Sequence, residues 1–204
     1  MKSKRFDRRG FFSQAVKLAA GGAALPLVGL QHAKASNRQS LIQTPAASLV
    51  GVAGSRSLAF DHTHTRERIN LVYAVDGDYV PDALTSLNRF LRDHYSGTVG
   101  NMDPQLFDLL HQLRLALGGK SLSAFEVISG YRCPETNDHL RNSRGGGVAK
   151  RSLHMEGKAI DVRIPGVPLA ELRDAALSLQ GGGVGYYPRE QFVHIDTGRV
   201  RTWG

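Results

Sequence analysis

Two histidines and an aspartate are the residues of this chain whose types and spacing favour metal chemistry. His154 and Asp161 lie in the segment SLHMEGKAIDV (residues 152–162), with Gly157 between them. A loop followed by a strand lets the imidazole fold back toward the carboxylate, and His194 lies in a later strand-like segment, FVHID. Two histidines and one carboxylate with an open coordination position are a common catalytic zinc set, in which the ion activates water.

The same residues also fit a structural interpretation without a metal. A histidine beside a strand is often satisfied by ordinary hydrogen bonds, and Asp161 could cap a turn or pair with Arg163. A His/Asp pair at this spacing is not a specific motif by itself. The single cysteine, Cys133, excludes both a disulfide framework and a cysteine-rich zinc site, so any metal must use histidine and carboxylate ligands.

The other histidines are expected to have no part in such a site. His62 and His64, in the segment DHTHT, share one face of a predicted strand, and we expect that face to be solvated or to line a cleft passively. His94, His111 and His139 lie in or beside predicted helices and receive no function. Cys133 is interpreted as a small packing residue, since no base is positioned to activate it.

Hydrophobic periodicity predicts the elements that must position these residues. They are, in chain order, a hairpin over residues 57–80, helices over 81–95 and 103–117, a strand over 125–129, a short helix over 135–144, a strand over 159–164, a helix over 168–180, and a hairpin of 183–187 with 192–196. Asp103 is the expected N-cap of the second helix, with Pro104 at its first position. Because these elements mix without a regular βαβ repeat, we expect an α+β domain, with helices packed on one face of a mainly antiparallel sheet.

The N-terminal 35 residues have the features of an export signal. They combine a basic start, a weakly apolar stretch and the small-x-small sequence AKA. Lys17, Pro26 and a pair of glycines interrupt the apolar stretch, which favours a cleaved leader over a membrane span of about 20 consecutive apolar residues. Arg8 and Arg9, followed by GFF, resemble the twin-arginine export signal; the alternative is an ordinary leader with two adjacent arginines.

We therefore expect a twin-arginine-type signal peptide over residues 1–35, a linker over 36–56 and a folded domain over 57–204 that works in the periplasm. The chain has a formal net charge of +8, of which residues 1–35 contribute +6 (seven Lys/Arg against one acid) and the rest only +2. Loss of the leader removes most of that charge, which argues against a nucleic-acid-binding protein.

Three segments together resemble a known enzyme superfamily. The pattern SxHxxGxAxD is met by Ser152, His154, Gly157, Ala159 and Asp161. The sequence SGYR precedes it at residues 129–132, and GGVGYYPREQFVHIDTGRVRTW follows at 182–203. These segments resemble the YcbK-like exported murein endopeptidase branch of the zinc D-Ala-D-Ala peptidase superfamily. The resemblance covers about residues 57–204 and implies a hedgehog/DD-peptidase-like fold.

The resemblance implies roles for five residues. His154, Asp161 and His194 would hold one zinc ion, and Arg132 would face the substrate with assistance from Ser129. A guanidinium pairs well with a carboxylate or a peptide carbonyl, although a structural arginine that secures the following turn is the alternative.

The general base is less clear from the resemblance. Many relatives have an acidic residue three positions before the last histidine, where this chain has Gln191, which cannot accept a proton from water near neutral pH. Asp196, on the same strand face as His194, and Glu190, in the preceding loop, are the candidates. Asp196 is the preferred base, although it could instead orient a ligand. Tyr186 and Tyr187 could both stack on or hydrogen-bond a peptide, and Tyr186 is taken as the candidate substrate contact, although strand aromatics beside a proline are as often core.

The resemblance implies hydrolysis of peptide cross-links or stem peptides of peptidoglycan in the periplasm, by an endopeptidase or a carboxypeptidase. The expected partner is the peptidoglycan peptide. We expect the protein to bind no nucleic acid and to have no membrane span after signal cleavage. The departure at Gln191 keeps a second hypothesis open, a non-catalytic zinc-containing cell-wall binding module.

Overall fold

A mixed β-sheet forms the centre of the part of the chain that the structure describes. The computed structural model describes residues 53–118, 123–143 and 148–204, all within one unit that spans residues 39–204. The predicted leader and most of the predicted linker lie outside the described residues. The first strand begins two residues before the predicted start of the domain at Ser57.

The described strands form one eight-stranded sheet. They are β1 (Ser55–His62), β2 (Arg68–Val75), β3 (Asp78–Tyr79), β4 (Phe125–Ser129), β5 (Ala159–Arg163), β6 (Gly183–Tyr187), β7 (Phe192–Asp196) and β8 (Arg201–Trp203). Their order is β3-β2-β1-β4-β5-β7-β6-β8. Only the pairs β1·β4 and β6·β8 are parallel among these strands, so the predicted α+β class with a mainly antiparallel sheet is confirmed.

Four helices accompany the sheet in the described residues: α1 (Pro81–Phe90), α2 (Pro104–Ala116), α3 (Pro134–Ser143) and α4 (Leu169–Ser178). Helix α2 begins as predicted, because the Asp103 carboxylate accepts a hydrogen bond from the Gln105 N–H and Pro104 follows it. Helix α1 ends five residues before the predicted Tyr95. The Asp93 carboxylate accepts hydrogen bonds from the N–H groups of Tyr95 and Ser96, and this local bonding replaces a further helical turn.

Helices α1, α2 and α4 supply the hydrophobic core together with one face of the sheet. Its fully buried large side chains include Phe60, Tyr73, Phe107 and Phe125. Helix α3 contributes no residue to this core; its Leu140 lines a cavity beside the predicted site. None of the described helices has the length and apolar character needed to span a membrane.

The structure corrects the prediction that His62 lies on a solvated strand face. Leu58, Phe60 and His62 alternate along β1 on the core side, and only 2% of the His62 surface is exposed. Its ring packs against Phe90, with centroids 5.8 Å apart, and against His94, at 5.6 Å. His64 lies beyond the end of β1, is exposed, and lines the cavity that Leu140 also contacts.

Burial of His62 makes the stability of the fold pH-dependent. Desolvation lowers the pKa of His62 to about 4, assisted by His94, His64 and Arg92 and opposed by Glu67. A histidine whose folded-state pKa lies below its unfolded value of about 6.5 stabilises the fold fully above pH 6.5. That contribution is lost as the pH falls from 6.5 toward 4. Its size is about 1.4 kcal/mol for each unit by which the folded-state pKa lies below the unfolded-state pKa.

His62→Gln, which does not titrate, is expected to flatten the pH dependence in that window. Urea unfolding at pH 7 and pH 5 measures the effect, with the exposed His139→Gln as the control. An equal loss of stability between the two pH values in wild type and His62→Gln would contradict the assignment.

Candidate metal centre

Adjacent strands bring two of the predicted ligands together. Asp161 of β5 and His194 of β7 are direct antiparallel partners, so their side chains project from the same face of the sheet. Their neighbours along each strand, Val162 and Val193, are fully buried in the core on the opposite face. The alternation of apolar and polar residues therefore positions a carboxylate and an imidazole side by side.

A short 3₁₀ helix over Leu153–Glu156 delivers the third predicted ligand, His154. The Ser152 hydroxyl caps it by accepting a hydrogen bond from the His154 N–H, and Gly157 ends it in the left-handed conformation with φ of 69°. A Cβ built on Gly157 would overlap the carbonyl oxygen of Asn101. The serine and the glycine of the SxHxxGxAxD pattern thus have local structural roles around the histidine.

Gly157→Ala is expected to lower both stability and metal affinity. A non-glycine residue at this φ costs about 1 kcal/mol, and the overlap with Asn101 adds to that cost by displacing the turn that carries His154. Gly166→Ala is the matched control, because Gly166 has a similar φ of 82° but open space around its Cβ position. Thermal unfolding and metal titration of both variants separate the cost of the positive φ, which both share, from the cost of the overlap, which only Gly157→Ala has. Equal losses of stability and metal affinity in the two variants would contradict the role of the overlap.

The donor atoms of His154, Asp161 and His194 converge at one point. The distances are 3.3 Å from His154 Nε2 to Asp161 Oδ1, 2.8 Å from His194 Nδ1 to Asp161 Oδ1, and 3.2 Å from His154 Nε2 to His194 Nδ1. Tetrahedral ligands at about 2.0–2.2 Å from an ion lie about 3.3 Å from one another, so the three donors fit such a site. All three residues are buried, and they are the one group among the described residues that meets the geometric requirement for a metal site.

Hydrogen bonds orient both imidazoles so that one ring nitrogen of each remains for a ligand. His154 Nδ1 lies 2.7 Å from the carbonyl oxygen of Gly130, which only accepts, so this nitrogen carries the proton. His194 Nε2 lies 3.1 Å from Asp196 Oδ2, which fixes the other tautomer there. Bonding of the non-ligating nitrogen to a carbonyl or carboxylate is typical of histidines that bind metals.

The electrostatics of this cluster favour a cation. Burial alone would raise the pKa of Asp161, but the positive charge and hydrogen bonds of His154 and His194 hold it well below its usual range. Burial also lowers the pKa of His194, yet the carboxylates of Asp161 and Asp196 outweigh this and raise it to about 9. Two carboxylates on either side of one imidazole therefore stabilise positive charge at the point where the three donors meet.

Asp196 is completely buried and its carboxylate accepts hydrogen bonds from several groups. These are the N–H groups of Gly183 and Gly198, both guanidinium arms of Arg201, and His194. Despite burial, these bonds hold the pKa of Asp196 well below its usual range. This environment favours the role of orienting His194 over the role of a general base.

The SGYR segment connects Arg132 to the predicted ligands. A register shift between Val127 and Ser129 turns Ser129 to face the same side as its partner Asp161. The Ser129 hydroxyl accepts a hydrogen bond from Arg132 Nη2 at 3.3 Å, and the same nitrogen lies 4.0 Å from Asp161 Oδ2. Ser129 therefore supports the guanidinium, which lines the cavity with 13% of its side chain exposed.

A cavity of about 610 Å³ opens in front of the three candidate ligands. Glu190, in the exposed turn between β6 and β7, lines it, whereas Tyr186 is not among its lining residues. Tyr186 pairs with Val193 on the core face, and Arg173 lies over its ring, while Tyr187 faces the cavity. Of the two tyrosines named from the sequence, strand alternation therefore directs Tyr187 to the cavity.

Sequence reasoning gave no role to Trp203 and Arg201, which strand β8 brings to the site. Trp203 lies with its ring centroid 5.2 Å from that of His194, and Arg201 binds Asp196. The available signal was the RTW ending of the C-terminal motif, but a three-residue strand has too few positions for an alternating pattern.

Most of the chain is similar in sequence to known proteins. A family model described as peptidoglycan L,D-endopeptidase MepK matches residues 51–203. A peptidoglycan L,D-endopeptidase MepK of Escherichia coli (strain K12) is 40% identical over 186 residues, which are 91% of this chain and 94% of that protein. A Shigella flexneri protein of the same name shows the same values. A probable peptidoglycan L,D-endopeptidase MepK of Haemophilus influenzae is 40% identical over 164 residues, 80% of this chain and 87% of that protein.

Proposed function

Because the chain belongs to the peptidoglycan L,D-endopeptidase MepK family, we propose that it is a zinc peptidase that hydrolyses L,D peptide cross-links of peptidoglycan. The observation that carries this proposal is the convergence of His154, Asp161 and His194 at the wall of a cavity. Each histidine uses its other nitrogen to hold the ring in place, as a preorganised metal site requires.

The donor set fits zinc. Two imidazoles and one carboxylate are ligands that zinc accepts in catalytic sites, where the bound ion acidifies water and polarises a carbonyl. His154 would bind through Nε2, His194 through Nδ1 and Asp161 through Oδ1. Their hydrogen bonds leave these atoms directed at one another, and zinc would displace the proton from His194 Nδ1 without a change of rotamer.

Arg132 is proposed to hold the substrate. Its guanidinium borders the cavity, and its hydrogen bond to Ser129 and its approach to Asp161 leave further N–H groups for a carboxylate or peptide carbonyl. The backbone around it is fixed as well, since the Arg132 N–H donates to the His154 carbonyl and the Cys133 N–H to Asp93. A backbone hydrogen bond thereby connects the proposed substrate anchor, Arg132, to the proposed metal ligand, His154.

Glu190 is proposed as the group that moves the proton from the attacking water to the leaving amine. It is exposed and lines the cavity, so its carboxylate reaches solvent and substrate. Asp196 is proposed to orient His194, because its oxygens already accept the hydrogen bonds described above. Export through the leader of residues 1–35, by the twin-arginine route, would bring this chemistry to the periplasm, where peptidoglycan is found.

A muropeptide assay tests the proposed function. The purified protein, loaded with zinc, is incubated with cross-linked muropeptides that carry either L,D or D,D bonds, with and without chelator. We expect cleavage of the L,D bond, loss of activity with chelator, and recovery on addition of zinc. No turnover by the fully metallated protein would instead favour a cell-wall binding module, the hypothesis suggested by Gln191 at the position of an expected acid.

A further inference from the structure

We propose that Tyr187 is a catalytic residue, whose hydroxyl donates a hydrogen bond to the substrate carbonyl oxygen as negative charge develops on it, and that Trp203 sets the direction of that hydroxyl. This inference rests on the proposed peptidase function and adds a residue for which the family names give no role. Tyr187 faces the same cavity as His194, Arg132 and Glu190.

The sheet places the Tyr187 ring next to the metal ligands. Gly185 of β6 is the direct partner of His194, and Tyr187 lies two residues further along the same strand face. The Tyr187 ring stacks on its own cross-strand partner, Phe192, with centroids 4.6 Å apart. This packing limits the movement of the phenol at low entropic cost, because a tyrosine has only two side-chain torsions.

The absence of a side chain at Gly185 lets Trp203 lie between the ligand and the tyrosine. A Cβ on Gly185 would come within 2.7 Å of the indole ring. The ring packs against His194, with centroids 5.2 Å apart, and Arg201 covers it at 4.7 Å. Trp203 is therefore fixed relative to a predicted metal ligand.

The indole determines which way the Tyr187 hydroxyl hydrogen points. Trp203 Nε1 is a donor only, and it lies 2.8 Å from the Tyr187 oxygen, which must accept there. No acceptor for the Tyr187 hydrogen occurs among the described residues, so that hydrogen is left for a molecule in the cavity. A donor in this position is preorganised, which is the property that makes hydrogen bonds to a developing oxyanion effective.

The hydrolysis balances without consuming Tyr187. The oxygen of water bonds to the carbonyl carbon, the C–N bond breaks, and the proton of the water passes to the leaving amine. The phenol keeps its proton throughout and only stabilises the charge on the carbonyl oxygen. The hydrogen bond from Tyr187 therefore stabilises the transition state more than the bound substrate.

Kinetics of three variants test this inference on the zinc-loaded protein with L,D cross-linked muropeptides. Tyr187→Phe should lower kcat by about 10- to 10³-fold and change KM little, because a single oxyanion donor is lost. Trp203→Phe, which keeps a ring against His194 but loses the N–H, should lower kcat less. Tyr79→Phe, which removes a hydroxyl that donates to Asp108 outside the cavity, should match wild type.

Two further readouts separate the roles that Tyr187 can have. Metal content should equal that of wild type in Tyr187→Phe, and a tetrahedral phosphinate analogue should bind more weakly in parallel with the fall in kcat/KM. A raised KM with unchanged kcat, or a loss of metal, would overturn the catalytic role. Wild-type rates in Tyr187→Phe would refute this inference alone, whereas an inactive wild-type protein would refute the proposed function as well.

Discussion

Asp161→Asn is expected to remove stoichiometric metal and to lower kcat/KM by at least about 10³-fold, since a bound ion supplies several kcal/mol of transition-state stabilisation. The substitution keeps the shape of the side chain but removes its charge. Asp161 Oδ1 is the atom that both imidazoles approach, at 3.3 and 2.8 Å, so no other oxygen in the described site replaces it. The negative charge that favours a cation between the two histidines is lost at the same time.

Metal analysis after dialysis, followed by the muropeptide assay, measures the effect of Asp161→Asn. Asp174→Asn is a suitable control, because Asp174 lies on α4, is exposed and pairs with its neighbour Arg173. Near-ultraviolet circular dichroism checks that both variants are folded. Full metal content together with wild-type activity in Asp161→Asn would exclude the three-residue centre as the site of chemistry.

Local patterns were sufficient for the parts of the fold that depend on neighbouring residues. The strand over residues 125–129 and the closing hairpin match the structure residue for residue. The N-cap at Asp103 was also correct, because capping depends on a side chain and the backbone two residues away. The pairing of Asp161 with His194 agrees with the prediction that both side chains face one site, since a strand presents alternate residues to one face.

Features that depend on contacts distant in the chain could not be predicted in this way. Strand β8 is parallel to β6 and only three residues long, so the position of Trp203 beside His194 depends on pairing that no local pattern reports. The irregularity between Val127 and Ser129 reverses the expected alternation and turns Ser129 toward Asp161. Tyr187 lines the cavity because it shares a strand face with Gly185, and that face is known only once the pairing of Gly185 with His194 is known.

His62 shows that the polarity of a residue can give a wrong prediction of its burial. His62 was expected on a solvated face, although the alternation of Leu58, Phe60 and His62 places it in line with the core. Its Nδ1 accepts a hydrogen bond from the His64 N–H, which partly offsets the cost of burying the ring. The pattern of the strand was therefore a better guide than the polarity of the residue.

The pair Glu190→Gln and Asp196→Asn distinguishes the proton shuttle from the residue that orients a ligand. Glu190→Gln should lower kcat by about 10²- to 10⁴-fold with unchanged metal content, because an amide accepts no proton from water. Asp196→Asn should lower metal affinity by about 10- to 100-fold, and much of its activity should return at saturating zinc. The reason is that Asp196 acts through His194, whose Nε2 it contacts at 3.1 Å.

Metal titration and kinetics at two zinc concentrations separate these outcomes, with Glu135→Gln on the exposed side of α3 as the control for Glu190→Gln. Loss of kcat in Asp196→Asn with full metal occupancy, together with an active Glu190→Gln, would assign the base to Asp196. That outcome would require the buried carboxylate to accept a proton while Arg201 and two backbone N–H groups hold it ionised. Those bonds hold the pKa of Asp196 far below that of a base that works near neutral pH, so the structure favours Glu190.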